Sequence, residues 1–145
     1  MMTEVKLRAV RSRASAEARA VMEAEDRILE ECGHFRDEGE AAGWVGGLAG
    51  SRWFQDQFGM VRPIVRRNKR GERAVYSFAI RDTDTIVLAT THRLVALHEL
   101  THLVTDRVGH HDQFRRIMVS LVGRVYGPEM AAVLRSEYEK RGLEV

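Results

Sequence analysis

The chain of 145 residues is poor in several things, and each scarcity excludes something. It has a single cysteine, Cys32, so no internal disulfide can staple the fold, which fits a reducing, cytoplasmic setting. No apolar run approaches the roughly 20 residues that a membrane-spanning helix needs. The opening residues Met1 to Arg8 carry positive charge without an apolar stretch behind it, so no secretory signal is read there. Only two prolines and three lysines (Lys6, Lys69 and Lys140) occur. The remaining basic residues are arginines, and the net charge of +2 is too small by itself to imply a nucleic-acid partner.

What is present describes a globular protein. Hydrophobic residues make up 44% and charged residues 30%, enough apolar material for one core at this length. Residues 4 to about 32 place Leu7, Val10, Ala14, Ala18, Val21, Ile28 and Cys32 in steps of three and four, which predicts one face of a long helix. Glycines crowd residues 33–50 and predict a loop, after which Ser51 can cap a short helix running to Phe58. Met60 to Arg67, Arg73 to Arg81 and Thr85 to Ala89 read as strands, the first two joined by a hairpin turn at Asn68 to Gly71. Pro63 places the first strand at an edge, and the third is apolar on both faces. Helices over about 92–107, 113–126 and 128–141 follow, with Gly109 and Gly127 as stops, Asp112 as an N-cap and Pro128 in a first turn. Together these predict one α+β domain spanning residues 1–145. A long N-terminal helix and a small antiparallel sheet of about three strands precede the C-terminal helices.

The chemistry is concentrated in the first of those later helices. His98-Glu99-Leu100-Thr101-His102 is an H-E-x-x-H sequence. Residues four apart project from one helix face with Cβ atoms about 6 Å apart, so two imidazoles at this spacing can share one zinc ion. Glu99 sits about 100° round the axis from His98, flanking that ion without competing for it. Leu94 and Val95, rather than lysine or arginine, flank the histidines, which suggests a semi-enclosed cleft. Beyond Gly109 come His110 and His111, and a left-handed glycine there would let the chain double back to offer a third imidazole. A structural zinc would more usually have four ligands with cysteines among them. The composition therefore points to a catalytic zinc with one open position.

Residues 98–114 resemble the SprT-like zincins, in which a third histidine ligand is followed four residues later by an aromatic residue, here Phe114. The chain is also similar to a family of short bacterial and phage metallohydrolases with an arginine-rich first helix and a Gly-Pro-Glu step, here Gly127-Pro128-Glu129. The resemblance implies a zincin-like fold and a zinc-dependent peptidase. His98, His102 and His110 would be the metal ligands and Glu99 the general base. His111, which stands where a small residue is common, is the alternative third ligand, and Glu129 or Glu137 a more distant one. The metzincin spacing fails at Val108.

Three neutral imidazoles would leave a coordination position for water, which Glu99 would deprotonate as it attacks a carbonyl. Tyr126, Tyr138 and His92 are unplaced candidates for a second oxyanion donor, and Asp112 for orienting a ligand ring. A peptide substrate is expected to lie along an exposed strand edge. Two other readings remain. Arg62, Arg66, Arg67, Lys69, Arg70 and Arg73 crowd the first predicted hairpin and could contact phosphates, giving a DNA-associated protease. Alternatively, the metal site could serve an interaction module without catalysis, a role for which Glu99 would be unnecessary.

Overall fold

A computed structural model describes residues 16–69 and 76–145. The fold is α+β. Helix α1 occupies residues 16–26 of the described chain, followed in order by α2 (Glu38–Ala49), α3 (Arg52–Phe58), β1 (Ile64–Arg67), β2 (Phe78–Ile80), a 3₁₀ turn (Arg81–Thr83) and β3 (Thr85–Leu88). Three helices close the chain: α4 (Arg93–Val104), α5 (Asp112–Tyr126) and α6 (Pro128–Lys140). They form two compact units, one of Leu29–Asp106 and one that joins the described residues before Leu29 to Arg107–Val145.

In the Leu29–Asp106 unit the strands form a three-stranded sheet of order β1-β3-β2. The expectation of an antiparallel sheet with a β1–β2 hairpin is corrected here. β1 runs parallel to β3, with Ile64 opposite Thr85 and Arg67 opposite Leu88, and only β2 is antiparallel to it. The reason lies in β3, all four of whose residues are buried. A strand apolar on both faces belongs in the middle of a sheet, so the two less buried strands flank it instead of pairing with each other. β1, which follows Pro63, takes an edge as its proline requires. Arg70 and the residues to 75, including the last two positions of the expected turn, lie outside the described residues.

The glycine-rich stretch expected to be a loop is mostly helix α2. Its glycines are tolerated because Ala41, Val45 and Ala49, four residues apart, form a buried stripe, and the Asp37 carboxylate caps the first turn by accepting from the Glu40 amide at 2.8 Å. Ser51 caps α3 as its sequence suggests, accepting from the Phe54 amide. Helix α1 ends by residue 26, short of the expected 32, and the chain passes through turns to Cys32. The expected start of that helix falls outside the described residues.

The second unit is built on α1, α5 and α6. Val21, Ala24 and Ile28 of the first segment, Phe114, Met118 and Leu121 of α5, and Leu134 and Tyr138 of α6 are fully or almost fully buried. The α5–α6 pair meets at Gly123, where a Cβ would come within 3.2 Å of the Ala131 Cβ. Gly127 separates the two helices at φ +103, and Pro128 opens α6 where a missing N–H costs nothing. The Tyr138 hydroxyl donates to Glu25 Oε2 at 2.8 Å, tying α6 to α1.

Candidate metal centre

Helix α4 carries the H-E-x-x-H residues and is buried along most of its length. Leu94, Ala96, Leu97, His98, Glu99, Leu100 and Thr101 all lie inside. His98 retains 6% exposure and Glu99 4%, whereas His102 is half-buried, so the histidine face is largely withdrawn from solvent. The imidazoles of His98 and His102 stand edge to face with centroids 5.0 Å apart. Each offers a ring nitrogen within 4.8 Å of the other's, close enough for small side-chain adjustments to bring both to the ~2.0–2.1 Å that zinc requires. These residues therefore fit a metal ion.

Two contacts, neither visible in the sequence, hold this helix. The Thr101 hydroxyl donates to the Leu97 carbonyl at 2.7 Å, which satisfies a buried polar group between the two histidines. At the helix end, Arg81 places Nη2 2.6 Å from the Thr105 carbonyl and Nη1 3.4 Å from its hydroxyl. A guanidinium on the last carbonyls satisfies orphan acceptors and complements the helix dipole, three residues beyond His102. A lone arginine after a short strand gives no sequence signal of such a role.

His110, His111 and Phe114 belong to the other unit and are described within it. Gly109 has φ +116, the left-handed region that the turn requires, and α5 begins immediately after the two histidines. The His110 ring meets Phe114 edge to face at 5.0 Å. Its carbonyl accepts from Arg115 Nη1 at 2.7 Å, and the same buried guanidinium binds the Glu144 carbonyl through Nε at 2.8 Å and Glu17 at 3.4 Å. The His111 ring is turned to the chain instead: Nε2 lies 3.1 Å from the Arg107 carbonyl, and Nδ1 is buried without a hydrogen bond among the described residues.

Other candidates fall elsewhere. Asp112 is not the N-cap of α5, a place taken by His111. Its carboxylate pairs with Arg116 at 3.0 Å and Arg107 at 3.6 Å. The hydrogen bond from Arg116 holds its carboxyl below the ordinary range. Tyr138 is buried on Glu25, and burial followed by that carboxylate pushes its phenol well above the usual value, so it is no free oxyanion donor. Glu137 is committed to Arg141 and Lys140, whose hydrogen bonds lower its pKa, while Glu129 is exposed in the first turn of α6. His92 faces Glu30 and His34. Of the basic strip, Arg66 and Arg67 lie on edge strand β1, not on a hairpin. They share the lining of a cavity of about 280 Å³ with Asp37 and Glu38. Arg70 and Arg73 lie outside the described residues.

Compared with models of known protein families, with curated proteins and with solved structures, the chain matches none. Among the described residues, no helix is long and apolar enough to cross a membrane. Histidine and glutamate groups that could hold a metal ion are present.

Proposed function

We propose that the protein is a zinc-dependent hydrolase, a peptidase of the SprT-like zincin kind that residues 98–114 resemble. The observation that carries this reading is the pair of imidazoles on one helix face, His98 buried and His102 half-buried, with the buried Glu99 between them in sequence. His110 is the proposed third ligand. The bond between His111 Nε2 and the Arg107 carbonyl supports the choice, because it engages the competing ring.

When bound, the ion would supply a Lewis acid for a carbonyl oxygen and lower the pKa of water toward neutrality. The chain's own residues supply the rest. Glu99 is fixed beside the histidines by a helix pinned at its end by Arg81. It accepts the proton released as water adds to the carbonyl and returns it to the leaving amine. β2 forms an outer edge of the sheet and packs against α4, so an extended peptide adding to that edge would lie beside the histidine helix. A buried, lone Cys32 fits a cytoplasmic protein.

The test is Glu99→Gln assayed on a mixed peptide library. The variant is expected to keep zinc and lose at least about a hundredfold in turnover. Full activity in the variant contradicts the general-base role.

A further inference from the structure

We infer that Glu30, His34 and His92 form a second metal site, specific for a borderline divalent ion such as zinc and made of residues distinct from the H-E-x-x-H set. All three lie in the Leu29–Asp106 unit, and each offers a ligand atom within 4.8 Å of the others.

The backbone builds this cluster. His34 and His92 pair as an isolated antiparallel bridge, closed by the Phe35 amide on the Thr91 carbonyl at 2.8 Å and the Arg93 amide on the Gly33 carbonyl at 3.0 Å. Gly33 at φ +88 permits the turn that brings His34 opposite His92. The rings then stack at a tilt, with centroids 4.1 Å apart. Glu30, four residues before His34, reaches both: Oε2 lies 3.0 Å from His34 Nε2, and Oε1 lies 3.6 Å from His92 Nε2. One carboxylate oxygen thus faces each imidazole.

His34 Nδ1 is 2.7 Å from the Thr91 hydroxyl. When that nitrogen donates to Thr91, the lone pair on Nε2 faces Glu30 and can bind a cation; when it accepts from Thr91, Nε2–H donates to Glu30 at 3.0 Å. For His92, neither ring nitrogen has a hydrogen bond among the described residues, and Nδ1 is buried. One divalent ion would engage all three groups. Two neutral imidazoles and a carboxylate are a ligand set suited to zinc and its first-row neighbours. The guanidinium of the neighbouring Arg93 binds Glu40 and the His34 carbonyl and lies over Phe35 and Trp44. Glu30 and His34 are exposed, so the site is open to exchange with solution. Its ion would clasp the segment after α1 to the first turn of α4.

The test is zinc titration by calorimetry on the full chain carrying His98→Ala and His102→Ala, with folding checked by circular dichroism. About one zinc per chain is expected, with affinity falling at least roughly tenfold when His34→Ala or Glu30→Gln is added. In the otherwise wild-type chain, His34→Ala with His92→Ala should lower the zinc stoichiometry by one. This arm holds even where the first pair of substitutions disturbs folding. No loss of stoichiometry there, or zinc binding in the double variant that survives His34→Ala unchanged, overturns the site.

Discussion

Arg81, directly after β2, donates to the carbonyl of Thr105 at 2.6 Å and so anchors the C-terminal end of the helix that bears His98 and His102. The contact joins the sheet edge to the proposed metal helix within one compact unit. Arg81→Ala removes a charge-assisted bond at a helix terminus and should cost about 1–2 kcal/mol of stability. It should also weaken zinc binding about tenfold, with Arg81→Lys restoring part of the loss. Urea denaturation and zinc titration check both, and unchanged zinc affinity in a destabilised Arg81→Ala protein would limit the arginine to a structural role.

Tyr138→Phe deletes the hydroxyl that satisfies the buried Glu25 carboxylate. A cost of about 1–3 kcal/mol is expected, with zinc binding and turnover unchanged. Denaturant midpoints of the variant and the parent, read beside a peptidase assay, test this. A loss of turnover at full zinc occupancy would give Tyr138 a part in the reaction.

Glu137 sets an acid limit on stability. Arg141 and Lys140 hold its folded-state carboxyl below the ordinary value, so the unfolded chain binds its proton first as pH falls. The stabilisation is present in full above the ordinary carboxylate range and is lost as pH drops through the lowered folded value. Glu137→Gln should therefore be less stable than the parent at neutral pH, with the gap closing in acid. Thermal melts across that range would show it, and a gap that widens in acid would refute the assignment.

Nucleic-acid binding through Arg62, Arg66, Arg67 and Lys69 is expected to be weak, because Asp37 and Glu38 line the same cavity as Arg66 and Arg67. A gel shift at about 50 mM salt should show little retardation, and a strong, salt-dependent shift would reinstate the phosphate-binding reading.

The legible parts of this chain were those written in strong local signals. The Ser51 cap, the Gly127-Pro128 break, the edge placement forced by Pro63 and the doubly apolar β3 all stand as their residues suggest. The three C-terminal helices fall close to their expected limits. What local pattern concealed was decided by packing. Six glycines over residues 33–50 masked the Ala41, Val45 and Ala49 stripe that makes α2 a helix. The parallel β1–β3 pairing depends on which strand tolerates burial on both faces, a property of the assembled sheet. At the candidate metal centre the i, i+4 histidines declared themselves. Arg81 on Thr105 and the approach of His92 to Glu30 and His34 are contacts between distant residues, which no spacing rule encodes.

The central claim is that His98 and His102 grip a zinc ion. Zinc content after exhaustive dialysis tests it most directly, measured on protein carrying His34→Ala and His92→Ala so that one proposed site remains. About one zinc per chain is predicted, falling to near zero when His98→Ala or His102→Ala is added to a chain that still folds. A folded protein that holds no zinc, or that holds the same amount without these imidazoles, would contradict the account.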